Sequence, residues 1–150
     1  MKIAFGCDHG GWALRDTILD ALRQEHHELM DLGPSSPESS DYPDAALAVA
    51  QAVASGEADL GVLACGTGIG MAIAANKVRG AYAANVSETY SARMAREHNG
   101  ANILALGGRT VGPDVAREVL LAFLGSGVSS QVRHQRRRKK IKRAERGCES

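Results

Sequence analysis

Aromatic side chains are scarce: Phe, Trp and Tyr make up 4% of the 150 residues. That shortage disfavours a stacking platform for single-stranded nucleic acid, which needs exposed rings. Cysteine is scarce too, and odd in number, at Cys7, Cys65 and Cys148. No two are spaced as C-x-x-C or as a metal finger. A disulfide framework is therefore not expected, and a reducing compartment fits better. No apolar run approaches the ~20 residues of a membrane span. The start of the chain turns polar by Asp8, too soon for a secretion signal, so the cytoplasm is the expected location. His, Cys, Asp and Glu nowhere fall at metal-ligand spacing. No metal site is expected, which favours proton transfer over a metal-assisted hydride shift. The net charge is only +1, but it is unevenly spread. Residues 133–150 hold nine Lys and Arg against two acids, whereas residues 1–132 hold nine against fifteen. An acidic body carries a basic C-terminal tail.

The length suits one domain with a real core. Glycine, at 17 residues, exceeds its usual share of about 7%, which fits close helix-on-sheet packing and backbone approach to a ligand. Short apolar runs at 3–5, 29–32, 60–64, 81–84 and 103–106 predict five strands. Helical spacing predicts helices over 12–26, 43–55, 71–76, 87–99 and 113–124, with Pro43 in a first turn and Ser87 as an N-cap. Residues 33–40, rich in Pro and Ser, read as loop, and the tail from Arg133 as polar helix. Such alternation predicts an α/β fold: a three-layer αβα Rossmann-like domain with a five-stranded parallel sheet and a C-terminal helical tail. Ligands bind such folds beyond the carboxyl ends of the strands. Asp8-His9, the run Cys65-Gly66-Thr67-Gly68-Ile69-Gly70 and Arg109 all follow predicted strands directly.

Cys65 ends a strand and precedes a glycine-rich turn into a helix, a setting that favours thiolate over thiol. It competes with the ordinary fate of a free cysteine, which is simple burial. The glycines let backbone N–H groups converge on one oxyanion. The run is neither a Walker loop, lacking Lys-Ser/Thr, nor a dinucleotide fingerprint, since its glycines are spaced G-x-G-x-G. Thr67 is placed to move a proton between oxygens of an enediolate. Asp8 reads either as a helix N-cap or as a site residue beside His9, and His98 either as a solvated histidine or as an acid-base group. His26 and His27 read as surface residues. Arg109, Arg133 and Arg137 could grip a phosphate through forked bonds, although the last two sit in a charge run that would ordinarily be a solvated face.

At these residues the chain resembles the type B ribose-5-phosphate isomerases, whose family also contains galactose- and allose-6-phosphate isomerases. The stretches that carry the likeness are Gly6-Cys7-Asp8-His9-Gly10-Gly11, Asp41-Tyr42-Pro43, Cys65 to Gly70, Ala74-Ala75-Asn76-Lys77, Ala95-Arg96-Glu97-His98-Asn99, Asn102 to Gly107 and Arg133-His134-Gln135. They span residues 1–137, leaving 138–150 as a basic extension. The resemblance implies cofactor-independent interconversion of ribose 5-phosphate and ribulose 5-phosphate. Cys65 would be the base moving a proton between C2 and C1 through a cis-enediolate held by the amides of Gly66, Thr67, Gly68, Ile69 and Gly70. His98, helped by Asp8, would open the ring. His9, Arg109, Arg133 and Arg137 would bind phosphate, and Asn99 the sugar. It further implies a homodimer with shared sites, or a dimer of dimers. The family usually has two glycines before the Arg-His pair, where this chain has Gln131-Val132. The second tail arginine could therefore be Arg136, Arg137 or Arg138, and the spacing Arg-His-Gln-x-Arg selects Arg137. A 6-phosphate aldohexose is the nearest rival substrate. A nucleotide- or RNA-binding module anchored by the tail is the reading from another class.

Overall fold

The computed structural model describes residues 1–147, so Cys148, and with it any role for that cysteine, lies outside the described residues. The elements run β1 Lys2–Cys7, α1 Trp12–Gln24, β2 Glu28–Asp31, α2 Tyr42–Ala54, β3 Leu60–Cys65, α3 Ile69–Ala75, β4 Ala83–Asn85, α4 Thr89–Met94, β5 Ile103–Gly107, α5 Pro113–Leu124 and α6 Val132–Gly147, with a π-helical turn Ala95–Asn99 extending α4. The five strands form one parallel sheet in the order β2-β1-β3-β5-β4. The expected α/β architecture is thus observed.

Strand parity sorts the core into two layers. Ile3, Phe5, Cys7, Val62, Ala64, Leu104 and Leu106 face α1, α4 and α5. Ala4, Leu63, Cys65, Ile103 and Ala105 face α2 and α3. The second layer is thin because it is built from Ala, Val and Gly. A Cβ at Gly61 would fall 2.7 Å from Val49 Cγ1, and one at Gly6 would fall 3.0 Å from Val49 Cγ2. Helix α2 therefore lies directly on the sheet backbone.

From β1 the chain passes through α1 to edge strand β2, then through α2 back across β1 to β3. The loops after β1 and β3 consequently leave toward opposite faces, opening the crevice where α/β folds bind ligands. Strand β5 pairs with β3 and brings the 107–109 loop to the same end.

Three local expectations differ. Helix α1 stops at Gln24, and its end is sealed by Glu25 N–H donating to Ala21 O and His26, at φ 58, turning the chain. The fourth strand is Ala83–Asn85, because Tyr82 instead bonds through its backbone to Asn102. Ser87 is not the N-cap of α4. Glu88 is: its carboxylate accepts from Tyr90 N–H at 2.6 Å and Ser91 N–H at 2.7 Å, two donors that a serine hydroxyl would serve less well. Pro43 does sit in the first turn of α2. No helix among the described residues is long and apolar enough to cross a membrane.

Candidate active site

Cys65 is the last residue of β3, turned toward α2 and α3 and only 5% exposed. Gly68, at φ +79, swings its N–H back to donate to Cys65 Sγ at 3.1 Å. A Cβ there would strike Asn85 Nδ2 at 2.2 Å, so backbone angle and space both require glycine. Asn85 ends β4 and donates to Thr67 O and Ala105 O, each at 3.1 Å, which ties the loop to the sheet. Exposed Thr67 keeps its hydroxyl at the loop by accepting from Ile69 N–H at 3.3 Å.

Two further loops close on this one, backbone against backbone. Asp8, 5% exposed, accepts from Gly11 N–H at 3.0 Å, while its own N–H donates to Ala64 O at 3.2 Å. It thereby serves the start of α1 from outside the helix; the N-cap position itself belongs to Gly11. A Cβ on Gly10 would come within 2.7 Å of Gly66 N, and one on Gly108 within 2.4 Å of Gly10 O. Gly108 N–H donates to Cys65 O at 2.7 Å and Arg109 N–H to Gly66 O at 3.0 Å. The Arg109 guanidinium stands beside Gly66. Exposed His9 receives Ser40 N–H on Nδ1 at 3.4 Å, which leaves the proton of a neutral ring on Nε2. Asp8, His9, Cys65, Gly66 to Gly70 and Arg109 are thus brought together at the carboxyl ends of β1, β3 and β5. Tyr42 packs over this end as well: a Cβ on Gly70 would meet its ring at 2.7 Å.

The two described cysteines differ in setting. Cys7 is fully buried on the opposite face, where burial pushes its thiol up from the ordinary value against a smaller pull from Arg15. Arg15 is committed to Asp31 and lies over Trp12 and Phe5. Cys7 is a packing residue; Cys65, at the last position of β3, accepts the Gly68 N–H of the glycine loop.

The remaining expected residues lie elsewhere. His98 and Asn99 belong to the π turn, which delivers the chain to the amino end of β5, about 17 Å of strand away from the Cys65 end. There the His98 ring stacks on His134 of α6, with centroids 4.1 Å apart and planes within 11°. His98 is half-buried, not the solvated histidine of the plain reading. His134 is 4% exposed, and Arg133 Nε donates to its Nε2 at 3.2 Å, which requires that nitrogen to be unprotonated. Burial first, then the cations around it, push His134 below the ordinary imidazole value. On α6 the four-residue spacing makes two pairs: His134 and Arg138 turn toward the chain's own body, while Arg133 and Arg137 are exposed. Helix α6 runs unbroken past position 137. Near its end Glu145 accepts from Gly80 N–H and from Tyr82 Oη, both at 2.9 Å. A cavity of about 760 Å³ opens between α6 and these amino ends, lined by Tyr82, Asn99, Asn102, Arg138 and Lys142 among others.

Asn85, Tyr42 and His134 were given no role by the sequence reading, and Arg138 entered it only as an alternative register for the second tail arginine. An amide closing an apolar strand is a signal for Asn85, and its place in Asp41-Tyr42-Pro43 is one for Tyr42. Nothing local separates Arg138 from its neighbours Arg136 and Arg137 within the charge run, and His134 stood out there only as part of Arg133-His134-Gln135.

The model of the family described as Ribose/Galactose Isomerase matches residues 3–141. Ribose-5-phosphate isomerase B of Escherichia coli K12 is 48% identical over 136 residues, covering 91% of each chain. The solved structure of Clostridium thermocellum ribose-5-phosphate isomerase B is 49% identical, with TM-score 0.95 over 98% of this chain and 99% of that one. That of the Mycoplasma genitalium ribose-5-phosphate isomerase B, with bound ribulose 5-phosphate, is 39% identical, with TM-score 0.92 over 97% and 96%. Fold and matches define an aldose–ketose isomerase. The chain belongs to the Ribose/Galactose Isomerase family.

Proposed function

We propose that this enzyme interconverts ribose 5-phosphate and ribulose 5-phosphate by proton transfer, without a cofactor, and that Cys65 is the base. The observation that carries this reading is a cysteine sulfur at the carboxyl end of a central strand, facing the Gly68 N–H at 3.1 Å inside a cradle of three glycine-bearing loops. The Cys65 thiolate removes the proton from C2 of the open-chain aldose. The electron pair becomes the C1–C2 double bond of a cis-enediolate, and the proton returns to C1. Backbone amides of Gly66 to Gly70 stabilise the developing oxyanion, and Thr67 passes the hydroxyl proton between O1 and O2. His9 and Arg109, at the rim, bind the phosphate.

Within one chain Cys65 stands at one end of the sheet and His98 at the other. We therefore propose that two copies complete each site: His98 opens the sugar ring, Asn99 holds the sugar, and Arg133 and Arg137 grip the phosphate at the Cys65 cluster of a second copy, where Asp8 assists. The exposure of Arg133 and Arg137 and their common helix face support this. The mutual match to ribose-5-phosphate isomerases supports the pentose. The test is turnover of ribose 5-phosphate and of allose 6-phosphate by wild type and Cys65→Ala. Pentose activity lost in the variant is expected. A preference for the hexose would keep the mechanism and change the substrate. Inactivity of the folded wild type on both would overturn the reading.

A further inference from the structure

The π turn that bears His98 ends as any helix does, with carbonyls that have no partner in the next turn. Two of them are taken up by groups from outside. Ser129 N–H donates to Glu97 O at 2.9 Å. Arg138 Nη1 donates to His98 O at 3.1 Å, and its Nη2 donates to Ser129 O at 2.7 Å. The guanidinium fork therefore closes a ring of contacts running Glu97, Ser129, Arg138, His98, and its positive charge sits at the negative end of the helix. The arginine stem reaches this point by passing over Gly100. That glycine is at φ +68, and a Cβ on it would lie 2.9 Å from Arg138 Cδ. One helical turn earlier on the same face of α6, His134 stacks against the His98 ring. Backbone and ring of His98 are thus held from one side by two residues of α6.

We propose that Arg138 is a positioning residue for His98: by bridging the carbonyls of His98 and Ser129 it fixes the imidazole where it can open the sugar ring, without itself touching substrate. This rests on the reading of His98 as the ring-opening acid given above. It also separates the three neighbouring arginines of the tail. Arg138 is turned inward onto its own chain, which leaves Arg136 and Arg137 as the exposed members.

The chemistry offers a readout that a merely structural role would not move. Ribose 5-phosphate closes to a furanose that must open before C2 can lose its proton. Ribulose 5-phosphate cannot close such a ring, because its C5 oxygen carries the phosphate. Exchange of its C1 hydrogen with solvent deuterium needs Cys65 and the enediolate but no ring opening. In Arg138→Ala, kcat on ribose 5-phosphate is expected to fall about tenfold, less than the roughly 10²–10⁴-fold that a positioned acid itself supplies. Its KM should stay within about twofold, as should the deuterium exchange into ribulose 5-phosphate. Arg138→Lys, which can reach one carbonyl at a time, should show the same pattern with a smaller loss, and it serves if the alanine variant does not fold. An equal fall in both reactions in the folded variants, or a fall in neither, would overturn the assignment. A wild type inactive in both assays would overturn the isomerase reading itself, a result distinct from either.

Discussion

The two ends of the sheet are built from different material. The Cys65 end is made of backbone: glycines 10, 68 and 108 let three loops approach until a single added carbon would collide. The His98 end is made of side chains: an imidazole stack, a guanidinium fork and a carboxylate reaching back to Gly80 and Tyr82. A backbone site is preorganised by the fold and resists change at its glycines. A side-chain site depends on one helix, α6, lying in the right place. The first suits a proton transfer that needs fixed dipoles, the second a group that must be aimed.

The largest effect expected from breaking this pair is at the backbone end. Cys65→Ala should cut turnover by about 10²–10⁴-fold, with phosphate-ligand affinity retained. Keeping more than about a tenth of wild-type turnover would argue against Cys65 as the base.

Mixing tests whether the two ends meet between copies. Cys65→Ala and His98→Asn variants, each weak alone, should regain about a quarter of wild-type activity when refolded together, because half the dimers are then mixed and each has one intact site. No gain over the summed parts would place both groups in one chain's site. Sedimentation should show a stable dimer, and a monomer at working concentration would contradict it.

Gly68→Ala sharpens the contrast. It forces a side chain into the left-handed region and onto Asn85, at a cost of about 1–3 kcal/mol. Melting temperature and turnover should both drop. Arg137→Ala should act on binding alone, raising KM about tenfold, the worth of a charge-assisted bond; an unchanged KM would return the choice to Arg136.

The smallest effect is one of pH. His134 is held below its ordinary value by burial. Below about 6.5 the unfolded chain binds a proton that the native ring resists, so stability is full above that pH and declines as pH falls toward the native value. Replacing His134 by Phe should flatten that slope in part. His27, pushed down likewise by burial, keeps the remainder.

Much of this was legible beforehand, for physical reasons. Strand and helix periods follow from where apolar residues recur, so the five strands and the parallel sheet could be read directly. The Cys65 cluster was legible because a backbone site leaves its mark in glycines. The N-cap was misread at Ser87, since the preference for serine ignores that the next residue, Glu88, could reach two donors. The inward contacts of His134 and Arg138 were not legible, because in a run of cations every residue reads as solvated.

The sequence by itself determined the alternation of strands and helices, the cysteine in its glycine turn, and the basic tail, because each is set by local spacing and composition. Only the tertiary structure decided the order β2-β1-β3-β5-β4, which puts Cys65 and Asp8 on one crevice. It alone parted His98 from Cys65 by the length of a strand, and it alone sorted the tail, turning His134 and Arg138 inward and Arg133 and Arg137 out. Strand order and the docking of α6 arise from contacts between residues far apart in the chain, and no local pattern encodes which of those contacts forms.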